Sequence, residues 1–317
     1  MQLKWSYLKP GDIIDIIATT PGIKTETLEQ DLLFLSNFII KLGLIPRFNF
    51  NDLLNGAAFF SNESQTVRQQ SLEQALLAQD SKAIWFIRGG YGTAQLLPNL
   101  VQLRAPIKPK LLIGYSDINC LHLWLHKFWQ WPSLHARVLY EFLEPRDQLE
   151  IESLVDIIFG KREQVMFQNL ASLNQAAKQK QQIQGVITGG TMQVLQSGIG
   201  LSWQFDATDK ILFFEEIFDR GVRLNRTLLH FMELGLLQKA KAILFGDIIC
   251  GKEVYGTENC DLAIKNFAQH LDIPVLHIAN IGHGELNFPL PLNSSAELII
   301  DQEVNLICST GGALKNN

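Results

Sequence analysis

The sequence predicts an α/β protein, with an N-terminal parallel sheet flanked by helices and a mixed α/β C-terminal domain. Three observations predict it. Short, near-continuous apolar runs alternate with amphipathic segments through the first half, as expected of strands buried on both faces of a helix-covered parallel sheet. From Gln168 to Gln184 the composition shifts to Gln, Lys, Asn and Ala, which reads as a linker between a first domain over 1–167 and a second over 185–317. Beyond it the alternation resumes but ends in closely spaced β-rich runs, so the second half reads as mixed rather than purely parallel.

The elements follow in order. Ile13 to Ala18 is an apolar run and reads as a buried strand. Thr25 to Leu42 carries Leu28, Leu32, Leu35, Phe38 and Ile39 at helical spacing, with Gly43 as its stop signal. A helix over Ser64 to Ala78 precedes a strand at Ala83 to Ile87. Leu111 to Ile113 is a strand that feeds a helix from Ile118 to Phe128. In the second half, strands are expected at Gly185 to Thr188, Lys210 to Phe214, Ala242 to Phe245 and Pro274 to Ile278. Helices are expected near Arg223 to Leu234 and Asp261 to Leu271. The tail supplies two more β-rich runs, Ala296 to Ile300 and Val304 to Cys308.

Composition excludes several classes. The 317 residues are 47% hydrophobic with a formal charge of −5, the make-up of a well-packed globule with no basic stripe for nucleic acid. No apolar run reaches the ~20 residues needed to span a bilayer. The start of the chain shows no charged leader and no apolar signal core, so a cytoplasmic location is expected. The four cysteines (Cys120, Cys250, Cys260, Cys308) lack any Cys-x-x-Cys or His-ligand pattern. They read as reduced thiols, with no structural zinc and no cofactor.

Candidate chemistry lies where strands end. In Ile113-Gly114-Tyr115-Ser116-Asp117, a serine sits at a strand-to-helix corner. There a hydroxyl is exposed beside helix N–H groups able to stabilise an oxyanion. Serine is equally a favoured N-cap, so both roles stay open for Ser116. Arg88-Gly89-Gly90-Tyr91-Gly92 follows a strand directly; its glycines suit an N–H group aimed at an anion, or simply a tight turn. Glu215 and Glu216 end a strand and are expected on opposite faces. One would orient a histidine and the other stay solvated, unless both are surface charge. His283, in the glycine-flanked loop Asn280-Ile281-Gly282-His283-Gly284-Glu285, ranks first among the seven histidines as a base. The order serine, acid, histidine fits a nucleophilic triad.

These residues resemble the serine LD-carboxypeptidases, the group containing murein tetrapeptide carboxypeptidases and microcin C immunity peptidases. The likeness is carried by Leu8-Lys9-Pro10-Gly11-Asp12, by Arg88-Gly89-Gly90-Tyr91-Gly92 with Leu96-Leu97-Pro98, and by Gly114-Tyr115-Ser116-Asp117. Gly189-Gly190, Phe213-Phe214-Glu215-Glu216 and Gly282-His283 continue it. The resemblance implies Ser116 as nucleophile, Glu215 as acid, His283 as base, and the N–H groups of Gly90 and Asp117 as oxyanion hole. It also implies a triad assembled across a cleft between two domains, a homodimer, no metal, and release of a C-terminal D-amino acid from an L-to-D bond. The murein tetrapeptide is the expected small-peptide substrate, with no nucleic-acid or membrane partner. Two stretches depart from the family. His135-Ala136-Arg137-Val138 stands where His-Gly-Pro-Met is usual, and Thr188-Gly189-Gly190-Thr191 where Trp-Gly-Gly-Asn is common. Both are expected to line or support the cleft. They motivate an alternative, a detoxifying peptidase of the immunity type; a non-catalytic peptide-binding protein is the remaining one. Arg88, Arg220, Arg223 and Arg226 are the candidates for gripping a terminal carboxylate.

Overall fold

Strand β1 (Ile13–Ile17) is apolar except for Asp15, and its last four residues are buried, as a strand with both faces covered must be. A computed structural model describes residues 3–21, 26–49, 53, 60–254 and 256–311 of the chain. They divide into two compact units, Met1–Arg162 and Glu163–Asn317.

In the first unit β1 is joined by β2 (Ile45–Phe48), β3 (Ser81–Phe86), β4 (Leu111–Gly114) and β5 (Ser133–His135), in spatial order β5-β4-β3-β1-β2. All four pairings are parallel. Such a sheet reverses direction of winding between β1 and β3, and ligand sites of doubly wound sheets lie beyond the strands' carboxyl ends at that point. Helix α1 (Leu28–Lys41) packs by Leu28, Leu32, Leu35 and Ile39, a stripe at helical spacing. It starts at Leu28; Thr25, the expected start, lies outside the described residues. Phe38 of the same helix stacks on Phe142 at 4.9 Å and meets Trp85 edge-on at 6.3 Å. Helix α2 (Asn62–Leu77) begins at Ser61, whose hydroxyl accepts the Ser64 N–H. Helices α3 (Asn119–Trp129) and α4 (Gln148–Ile158) follow in the same unit.

The second unit holds an eight-stranded mixed sheet. Its strands are β6 (Gln164–Phe167), β7 (Ala171–Ser172), β8 (Gln181–Thr191), β9 (Lys210–Arg220), β10 (Ala242–Gly251) and β11 (Val275–Gly282), then, after the short β12 (Leu290–Leu292), β13 (Ser294–Ile300) and β14 (Val304–Ser309). The spatial order is β6-β14-β13-β8-β9-β10-β11-β7. The central β8 to β11 run parallel, and the outer strands pair antiparallel. Helix α5 (Met192–Ser197) follows β8, α6 (Gly221–Glu233) follows β9, and α7 (Cys260–Ala268) follows β10. Leu224, Leu228 and Phe231 form the buried stripe of α6, with Phe231 5.8 Å from Phe214 of β9.

Two expectations are corrected. Residues 168–184 are not a bare linker: β7 pairs with β11, a helical turn forms at Ala176–Lys178, and β8 begins at Gln181. Asn174 ties this segment in by donating to three carbonyls, those of Ala268, Leu271 and Ile273. Nor are all the thiols reduced: Cys250 and Cys260 are joined in a disulfide from the end of β10 to the start of α7, and only Cys120 and Cys308 are free and buried. Among the described residues no helix is long and apolar enough to cross a membrane.

Candidate active site

The loops after three neighbouring strands, β1, β3 and β4, meet at the carboxyl edge of the first unit's sheet. After β1, the Thr20 hydroxyl donates to the carbonyl of Gly89 at 2.9 Å, fixing the turn that follows β3. A Cβ on Gly89 would lie 3.0 Å from Cβ and 3.2 Å from Oγ of Ser116, tighter than nine in ten such contacts, so glycine eases the close approach of the two loops. Gly90 sits at φ +125°, a conformation that L side chains rarely adopt. After β4, Ser116 itself has φ +64°. A serine held in the left-handed region costs about 1–2 kcal/mol, and such strain recurs at functional corners. Ser116 is not the cap of α3. That position belongs to Ile118, and no side chain caps the helix there.

The residue after the serine is anchored from behind. The buried Asp117 carboxylate accepts the Thr93 N–H at 2.8 Å. Burial pushes this carboxyl's pKa up, opposed by the Thr93 bonds and by the charge of Arg68. Arg68 is 1% exposed and donates to the carbonyls of Thr19 and Ser64. The Thr93 bond pins the Asp117 side chain beside the backbone N–H that the family resemblance singles out.

Glu215 of β9 is fully buried, and its Oε2 accepts from His283 Nδ1 at 2.6 Å. The Thr191 hydroxyl, at the end of β8, donates to Oε1 of the same carboxylate. Close approach again depends on glycine. A Cβ on Gly282 would meet Glu215 Cβ at 3.0 Å, and one on Gly284 would lie 2.3 Å from Asp247 Oδ2. The Asn287 side chain accepts the Gly282 N–H at 3.0 Å, and Asp247 accepts that of Asn280 at 3.1 Å, so both ends of the histidine loop are pinned. Since Nδ1 faces the carboxylate, any proton transfer by this imidazole would use Nε2.

The structure therefore joins Glu215 to His283 in the second unit, and brings Ser116, Asp117 and the Gly89-Gly90 turn to one edge of the first. Thr191 escaped the sequence reading as a partner of the acid, although its place after two glycines at a strand end was the available signal. Glu216 is corrected: it is 2% exposed rather than solvated, accepting the Gln193 N–H at 2.7 Å and the Ile217 N–H at 2.9 Å. Arg137 is buried in a two-pronged pair with Glu150 and so supports the fold behind β5. Among the arginine candidates, Arg88 Nε donates to the Gly89 carbonyl and Arg223 lies 3.5 Å from Asp219; neither arrangement singles out a carboxylate grip.

Two substitutions test these surroundings. Gly189 of β8 has φ +136°, and an added Cβ would sit 1.9 Å from the Phe213 carbonyl oxygen. Gly189→Ala is expected to destabilise the chain by about 3 kcal/mol or more, read as a lowered urea midpoint. Burial raises the pKa of Glu216 from 4.5 to about 7. The folded state thus holds a proton that the unfolded chain releases, and stability falls as pH rises from about 4.5 to about 7. Glu216→Gln removes this ionisation, so its urea midpoint should stay level across that window while the wild type loses up to roughly 3 kcal/mol. Parallel pH profiles of the two proteins would contradict the assignment.

Comparison with known proteins decides the family. Residues 14–136 match the model of the LD-carboxypeptidase N-terminal domain, and residues 184–298 that of the C-terminal domain. The chain belongs to the LD-carboxypeptidase family. A putative carboxypeptidase of Rickettsia conorii is 37% identical over 295 residues, covering 93% of this chain and 90% of that protein. The murein tetrapeptide carboxypeptidase of Pseudomonas aeruginosa is 28% identical over 243 residues, covering 73% of this chain and 76% of its own length. The crystal structure of an MccF-like protein from Bacillus anthracis shares the fold with a TM-score of 0.76 at 20% identity, covering 96% of this chain and 98% of its own. That of a muramoyltetrapeptide carboxypeptidase from Oxalobacter formigenes gives 0.73 at 20% identity, covering 94% and 98%. This LD-carboxypeptidase family member is a carboxypeptidase and hence a hydrolase.

Proposed function

We propose that this chain is a serine-type LD-carboxypeptidase that releases the C-terminal D-alanine of the murein tetrapeptide. The observation that carries the reading is the buried carboxylate on His283 Nδ1 at 2.6 Å, an arrangement that fixes the tautomer of a general base. The strained Ser116 corner supplies the matching nucleophile. The Pseudomonas relative, named for the murein tetrapeptide, supports the substrate.

In this mechanism His283 Nε2 takes the Ser116 proton as Oγ attacks the carbonyl of the L-to-D bond. The N–H groups of Gly90 and Asp117 receive the tetrahedral oxyanion. Glu215 stabilises the imidazolium, which returns the proton to the departing D-amino acid as the acyl-enzyme forms. Water then repeats the attack, with His283 as base, and frees the shortened peptide and the serine. Thr191 acts on this chemistry through Glu215, by holding its second oxygen.

The reading extends to a cytoplasmic enzyme of wall recycling that works as a homodimer; cell fractionation and light scattering test those two parts. The activity is tested by incubating the purified protein with the tetrapeptide and assaying free D-alanine. Release is expected, with none from the diastereomer ending in L-alanine. No release from the natural peptide, or equal release from both, would contradict the proposal.

A further inference from the structure

The opposite edge of the first unit's sheet carries a second feature that the peptidase reading leaves unused. Parallel strands β4, β3 and β1 are neighbours, so their amino ends lie side by side at intervals of about 4.8 Å. Each end delivers lysine: Lys9 ahead of β1, Lys82 at the start of β3, and Lys108 and Lys110 just before β4. With Arg104 from the preceding loop they line one groove of about 840 Å³, whose single acidic lining residue is Asp12. Four exposed cations over the buried Lys110, against one lining carboxylate, in a chain of net charge −5, make a strong local reversal of sign.

The nearby acids are already engaged. Asp15 is bonded by Arg47 Nε at 2.6 Å and lies 3.7 Å from Lys110 Nζ. Asp80 is paired with Arg47 at 2.7 Å, and Asp12 accepts the backbone N–H of Lys9 at 2.7 Å. Lys110 is buried on the Ala75 carbonyl and the Ser81 hydroxyl and serves as a fixed floor. Among the described residues, no carboxylate lies within ion-pair distance of Lys9, Lys82, Arg104 or Lys108. The loop also presents Ile107, 96% exposed, between Pro106 and Pro109, giving the groove an apolar wall. Its volume falls within the 300–1,000 Å³ typical of small-ligand sites, and the overall negative charge disfavours a nucleic acid.

We infer that this groove binds a small polyanion, a phosphorylated or polycarboxylate metabolite with charges spread over about 10 Å across three strand ends. The inference is independent of the peptidase reading.

Isothermal titration of the full chain with inorganic tripolyphosphate and, separately, with citrate tests it and distinguishes the two chemistries. Saturable binding of one equivalent of at least one probe is expected, weakening about tenfold or more on going from low to moderate salt. Lys82→Glu combined with Arg104→Glu should weaken it by a further factor of about ten or more. Should that pair fail to fold, Arg104→Gln with Lys108→Gln, both on the exposed loop, provides the same comparison. Ser116→Ala should bind as the wild type does. No saturable binding of either probe, binding insensitive to the charge reversals, loss of binding in Ser116→Ala, or tighter binding of a DNA duplex than of tripolyphosphate would each overturn the inference.

Discussion

Ser116→Ala is expected to lower kcat for D-alanine release by about 10⁴-fold or more, with KM within a few-fold of the wild type and an unchanged circular dichroism spectrum. The physical ground is that the proposed mechanism needs the Ser116 hydroxyl as its nucleophile, held at a corner with φ +64°. Ser116→Gly sharpens the test. It removes the same hydroxyl but relaxes a corner that costs an L-residue about 1–2 kcal/mol. The glycine variant should therefore be as inactive as the alanine variant yet more stable than it in urea. Retained turnover in either would remove the serine from the mechanism. Equal stability of the two would mean that the corner stores no strain.

Glu215→Gln is expected to reduce kcat by about 10³–10⁴-fold while leaving KM near its original value. The amide keeps the shape of the carboxylate but has one acceptor oxygen where Glu215 uses two, one for His283 Nδ1 and one for the Thr191 hydroxyl. Whichever bond survives, the imidazole loses either its tautomer control or the charge that stabilises its protonated form. A purely structural role would instead move the urea midpoint and leave kcat alone, so the two readouts separate the accounts. Steady-state kinetics on the tetrapeptide, paired with a denaturation curve, supply both.

Much of this architecture is legible in the sequence because its cause is local. Ile13 to Ile17 is an apolar run, and Leu28, Leu32, Leu35 and Ile39 recur at helical spacing; burial of those side chains follows directly. Ser116 and His283 stand out because glycine-rich loops at strand ends are poor places for packing residues; Glu215 stands out as an acid in an apolar run, and it lies inside β9, which continues to Arg220 rather than ending at Phe214. What was missed depends on partners distant in sequence. Alternation along β9 correctly sets Glu215 and Glu216 on opposite faces, but both faces of that strand are covered, so neither acid reaches solvent. The polar stretch from Gln168 to Gln184 reads as a tether because the edge strand β7 and the half-exposed start of β8 tolerate polar side chains; the two-residue β7 is recognisable only from its pairing with β11. The Cys250–Cys260 bridge joins a strand end to a helix start without any spacing motif, and Thr191 finds Glu215 across neighbouring strands 24 residues apart.

The central claim is that Ser116 is a nucleophile activated by a histidine that Glu215 holds in place. Labelling the native protein with a fluorophosphonate and locating the adduct by mass spectrometry tests it most directly. Modification of Ser116 is predicted in the wild type, strongly slowed in His283→Ala and absent in Ser116→Ala. An adduct elsewhere, or labelling of Ser116 that proceeds at the wild-type rate without His283, would contradict the account.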